Sequence, residues 1–154
     1  ITVGRLKEKF YLAASEEYIK RLSAFCKFTL IELPEQRLPD DPSPAQIAAG
    51  LAAEAALIEA RRPKNAWFCV FTPEGKTLSS EAFAQRLAQV KTEGKSSLCF
   101  LIGSSFGIDP RIKAQADFRL SFGPMTFPHH LVRVMALEQL YRAGAIQAGT
   151  KYHK

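Results

Sequence analysis

Five short apolar runs punctuate this chain, and a stretch with helical spacing follows each one. ITVG (1–4), KFTLIEL (27–33), AWFCVF (66–71), SLCFLIG (97–103) and FRLSF (118–122) are rich in β-branched and aromatic residues. The fourth is short and continuously apolar, as a strand buried on both faces requires. Strands that alternate with helices predict an α/β domain, a largely parallel sheet with helices on both faces. A chain of 154 residues suffices for one such domain, spanning 1–154, with a real core.

Local signals place the boundaries. FYLAASEEYIKRLSAF (10–25) puts Leu12, Tyr18, Ile19 and Leu22 broadly on one helix face. The four prolines of PEQRLPDDPSP (34–44) mark a surface loop, and Ser43 or Asp41 is expected to cap the Ala-rich helix after it. TPEGK (72–76) is a turn by composition. Ser79 and Ser80 open the next helix, which Gly94 closes, and Asp109 with Pro110 starts a short one. The last helix runs from Pro128 to about Ala148. Its Leu131, Val134, Leu137, Tyr141 and Ile146 are expected on the sheet, leaving Val132, Met135 and Leu140 for a second subunit.

In folds of this kind ligands sit beyond the carboxyl ends of the strands. TPEG, GSSFG (103–107) and GPMTF (123–127) are therefore the loops to watch. LIGSSFG matches neither a dinucleotide fingerprint nor a P-loop. Gly103 either lets a ligand approach the backbone or, with Gly107, simply makes a turn. The FGPMTF segment combines apolar atoms with free backbone groups, as an adenine pocket requires. His129 and His130 fall in the first turn of the last helix, whose dipole favours a neutral ring.

Composition narrows the partners. No apolar run approaches the roughly 20 residues of a bilayer span. The opening residues carry no signal-peptide pattern, and ITVG reads as strand interior, so a few residues are expected ahead of Ile1. Cys26, Cys69 and Cys99 lack metal-ligand spacing and suit reduced thiols in the cytoplasm. The net charge is +6, and beyond Asp117 five basic residues face a single acid, Glu138. Such an end suits a phosphate-bearing partner or simply solubility.

At TFPHHLVRV, LEQLYRA and the closing YHK, the chain resembles the ribosomal RNA large subunit methyltransferase H family of SPOUT methyltransferases. The likeness extends from TVGRLKE and EEYIKRLS to the tail. It implies a SPOUT-type, mostly parallel sheet with a C-terminal trefoil knot, an exception to the rule against threaded chains. It implies a homodimer that binds S-adenosylmethionine, uses no metal, and methylates N3 of a pseudouridine of 23S ribosomal RNA in the assembled ribosome. Carried over by position, cofactor binding falls to Phe71, Gly103 and the segment Phe122, Gly123, Pro124, Met125, Thr126, Phe127. Catalysis falls to Tyr152, His153 and Arg142, and RNA binding to Arg133, Lys151 and Lys154. The chain departs from the family pattern at Thr72, Ser104, Phe106, Gly123–Pro124 and Gly144, the last a position often aromatic. The alternatives are a noncatalytic ribosome- or RNA-binding protein that keeps the fold, and a flavodoxin-like nucleotide binder, which the lack of a phosphate-cradling loop disfavours.

Overall fold

The computed structural model describes residues 1–153. Its five strands form one all-parallel sheet in the order β2-β1-β4-β3-β5. The strands are β1 (Thr2–Val3), β2 (Glu32–Leu33), β3 (Trp67–Thr77), β4 (Leu98–Ile102) and β5 (Phe118–Ser121). The helices are α1 (Lys9–Leu22), α2 (Pro44–Arg61), α3 (Ser80–Thr92), α4 (Pro110–Ala114) and α5 (His129–Gln147). Phe68, Val70 and Leu101 pack on one face of the sheet with Ile58 of α2 and Ile112 of α4. Cys69, Phe71 and Leu120 pack on the other with Phe83 and Leu87 of α3 and Ala136 of α5. Period-two alternation along β3 feeds both layers.

The caps follow the local chemistry. Ser43 accepts from the Gln46 amide while the Gln46 side chain accepts from the Ser43 amide, a reciprocal capping box. Ser79 caps α3 and Asp109 caps α4, where Pro110 takes the first helical position. Gly94 follows α3 with φ +88°, a conformation that glycine adopts without a steric penalty.

Three expectations are corrected. The second run is a strand only at Glu32–Leu33, because β1 pairs Thr2 with Glu32 and Val3 with Leu33 and reaches back only to the Ile31 carbonyl, which accepts from the Thr2 amide at 2.9 Å. A cavity of about 530 Å³ opens there, bordered by Phe28, Leu30, Leu98 and Phe100. On α1 the buried residues are Ser15 and Leu22, while Leu12 is exposed. On α5, Val132 and Leu140 join Ile146 against the α3–sheet layer, with Ala136, Leu137 and Ala143 buried. Tyr141 turns to α1, against Tyr18 and Phe25.

A fourth correction shapes the site. TPEGK is not a free turn. Leu120 pairs with Phe71 and again with Lys76, and Thr77 pairs with Ser121, so 72–75 carries the chain across β5 to its other edge. A Cβ on Gly75 would lie 2.6 Å from the Leu120 carbonyl carbon and 2.8 Å from that of Arg119. Only glycine allows one backbone to cross another this closely.

Candidate functional site

The 72–75 crossing within β3 and the loops after β4 and β5 lie at one end of the sheet, and each has an identifiable support. Within β3, just beyond Phe71, the Thr72 hydroxyl donates to Glu74, whose carboxylate also takes Lys113 Nζ of α4 at 2.6 Å. The Lys113 and Thr72 bonds hold the Glu74 carboxyl down at about 2. An acid is thus present in this loop, two residues beyond the position where the family usually has one.

After β4, Gly103 is buried beneath its own loop. A Cβ there would lie 2.3 Å from both the Gly107 carbonyl oxygen and Ile108 Cγ1. Ser104 and Gly107 exchange backbone hydrogen bonds at 3.2 and 3.0 Å, with Gly107 at φ +96°. Loop closure therefore accounts for the glycine. Ser104 Oγ donates to Glu54 Oε2 at 2.8 Å, and Glu54 Oε1 accepts from the Gln36 amide at 2.9 Å. Burial raises the Glu54 carboxyl above its usual range, against the pull of those two hydrogen bonds. Glu35 Oε1 accepts from the Ser105 amide at 2.9 Å. Two carboxylates thus fasten this loop from the β2–α2 side.

After β5, Phe122 stacks on Phe71 with ring centroids 5.2 Å apart and planes within 13°. Ser121 Oγ accepts from the Gly123 amide and donates to the Gly123 carbonyl, with Gly123 at φ +131°. The amides of Met125, Thr126 and Phe127 have no hydrogen-bond partner among the described residues. Met125 is 71% exposed and Phe106 of the neighbouring loop 44%. A smaller cavity of about 180 Å³ lies behind Phe122, between Leu120 and the start of α3.

The tail folds back along α5 rather than trailing into solvent. Tyr152 O–H donates to Glu138 Oε1 at 3.0 Å, and its ring packs 4.6 Å from that of Tyr141. Burial, Tyr18 and Glu138 push the Tyr152 hydroxyl up to about 12. Arg142 Nε donates to Glu138 Oε1 at 2.9 Å, with Nη2 on the same oxygen. His153 stands between Arg142 and Glu81, at 3.3 Å from the first and 2.7 Å from the second. Glu81 opens α3, so the tail reaches the same quarter as the β3 and β5 loops. Arg142, Tyr152 and His153 therefore meet, as their assignment requires.

Arg133 is corrected. It is 4% exposed, and its Nη2 donates to Glu32 Oε1 at 2.7 Å, so it holds β2 and is not open to a phosphate. Lys151 is exposed, and Lys154 lies outside the described residues. Sequence reasoning missed Glu81, Glu54 and Glu35, which bear on these loops only through tertiary contacts. His129 keeps a lowered pKa through burial and the adjoining His130, and its Nε2 is buried without a hydrogen-bond partner. Gly144, where the family often has an aromatic residue, lies against Phe25: a Cβ would meet Phe25 Cδ2 at 2.7 Å. The ring is supplied from the turn after α1 instead.

Among the described residues no helix is long and apolar enough to cross a membrane, and no group of His, Cys, Asp and Glu has the arrangement of a metal site. A family described as "Predicted SPOUT methyltransferase" matches residues 1–153. Proteins named ribosomal RNA large subunit methyltransferase H are similar over the full chain. The one from Moorella thermoacetica is 44% identical over 154 residues, 100% of this chain and 96% of the relative. That from Leuconostoc mesenteroides is 42% identical and that from Streptococcus thermophilus 44%, each over 100% of this chain and 97% of the relative. A solved structure, a probable methylase family protein from Haemophilus influenzae, shares the fold with a TM-score of 0.53. It is 11% identical and matches 99% of this chain and 69% of that one. The chain belongs to the ribosomal RNA large subunit methyltransferase H family of SPOUT methyltransferases.

Proposed function

We propose that this protein is a cytoplasmic homodimer that transfers a methyl group from S-adenosylmethionine to N3 of a pseudouridine of 23S ribosomal RNA in the assembled ribosome. One observation carries the reading: the 72–75 crossing and the loops after β4 and β5 lie at one end of the sheet, and the Arg142–Tyr152–His153 group stands at the adjoining start of α3. The residues fit the cofactor. The free amides of Met125, Thr126 and Phe127 suit an adenine edge, and the apolar side chains around them suit its faces. Gly103 shapes the β4 loop, and Phe71 supports Phe122 from below. Bound there, the cofactor supplies an electrophilic methyl on a sulfonium.

The protein's own task is the proton. A uracil-type imide ionising about two pH units above ambient costs roughly 2.7 kcal/mol to deprotonate. His153 accepts that proton, the N–H electron pair stays on N3 to form the new N–CH3 bond, and the methyl–sulfur pair leaves with sulfur. Tyr152 offers a ring for stacking and a hydroxyl kept protonated. Lys151 and Lys154 supply phosphate contacts in place of Arg133. Phe10, 64% exposed at the start of α1, and the half-buried Leu131, Val134 and Met135 of α5 offer apolar surface for the second subunit.

Purified protein with labelled S-adenosylmethionine should methylate assembled ribosomes and act poorly on the naked stem-loop. Efficient turnover of the isolated RNA would remove the ribosome from the proposal. Ribosome binding without turnover would establish the noncatalytic alternative.

A further inference from the structure

We infer that Glu81 is a positioning residue that fixes the tautomer of His153, making Nδ1 the ring atom that accepts the substrate proton. The inference rests on the reading of His153 as general base given above. Arginine has only donors and stays charged, so the nitrogen facing Arg142 Nη1 at 3.3 Å must present a lone pair. That nitrogen is Nδ1. A neutral ring then carries its proton on Nε2, where Glu81 Oε1 lies 2.7 Å away to accept it. One ring nitrogen is held by a carboxylate and the other is left basic, the division that orients a histidine for proton transfer.

The surroundings keep this division in place. Glu81 lies in the first turn of α3, where the helix dipole favours its charge. Hydrogen bonds from the Ser79 side chain, its own backbone and His153 hold the Glu81 carboxyl down at about 2, so it stays ionised. Arg142 is anchored on Glu138 through Nε and Nη2, leaving Nη1 to reach the ring. At 3.3 Å its tie is the looser of the two on His153 and the one a substrate can displace. Once Nδ1 takes a proton, Arg142 loses its acceptor and faces a like charge, so the Nη1 arm withdraws. The imidazolium stays paired with Glu81. Among the described residues, the charged and titratable groups around the ring are Glu81 from α3, Arg142 and Glu138 from α5, and Tyr152 with Tyr18 of α1 behind it.

The test uses full-length protein with Glu81→Gln, Glu81→Ala and His153→Ala. Long-range proton–nitrogen NMR should find the neutral His153 ring protonated on Nε2 in the unaltered protein. Glu81→Gln should keep that tautomer, since the amide oxygen still accepts, but lower kcat severalfold, because the imidazolium formed on proton transfer loses its carboxylate partner. The KM for ribosomes should hold. Glu81→Ala should give a mixture of tautomers. A ring protonated on Nδ1, or a kcat unchanged in Glu81→Gln, would overturn the assignment. If the NMR results hold while His153→Ala methylates ribosomes at the unaltered rate, the general-base reading falls, and the proton-accepting role with it.

Discussion

A buried cation and an exposed one look alike in sequence, and here they part company. Arg133, itself buried, spends its charge on Glu32, 101 residues away. Arg133→Ala should lower the melting temperature, because it unpairs Glu32 and empties a buried site, yet leave the salt dependence of ribosome binding unchanged. Lys151→Ala should do the reverse, with no change in melting and a salt slope smaller by about 1. Titrating ribosome binding against salt separates the two. Gly144 adds a packing test. Gly144→Ala gains helix propensity but drives a methyl into the Phe25 ring, and should destabilise by about 1–3 kcal/mol. Combining it with Phe25→Ala should recover part of that loss in a double-mutant cycle read by urea unfolding.

At the scale of the element, what the sequence made legible was local. Ser43, Ser79 and Asp109 capped their helices because capping needs only neighbours two or three residues along. TPEGK misled for the same reason: its composition is that of a turn, but its pairing with β5 is made some 45 residues later in the chain. The GSSFG loop was found, yet its two carboxylate fasteners lie on the β2–α2 side and left no local pattern. Likewise α5 revealed its length but not which apolar residues faced inward, since it is apolar on several sides. The crossing yields two predictions. Gly75→Ala should cost about 1–3 kcal/mol or more, because the atoms it strikes are backbone and cannot rotate away. Thermal melting should show this as a drop of several degrees. Glu74, with its folded pKa depressed to about 2, contributes stability that is complete above its ordinary value and drains as the pH falls toward 2. Lys113→Met should therefore lose stability at neutral pH, and its difference from the unaltered protein should vanish at the acid end of a urea series.

The whole molecule is organised around one end of the sheet. The residues of the α5-and-tail group all fall between Glu138 and His153, and that end of the chain carried the family likeness and most of the site assignment. Self-association is tested at this scale: sedimentation should find a dimer, and Phe10→Asp should shift it toward monomer. The crossing over β5 bears on which surfaces are free for that contact. β5 ends the sheet by strand order, and an outermost strand ordinarily offers unpaired amides and carbonyls to any passing chain. Here Lys76 and Thr77 already occupy the far side of Leu120 and Ser121, and the opposite border, β2, has only two residues. The crossing that frames the site thus also works as a guard against runaway strand-to-strand stacking, and it leaves the helices as the surface for the proposed dimer.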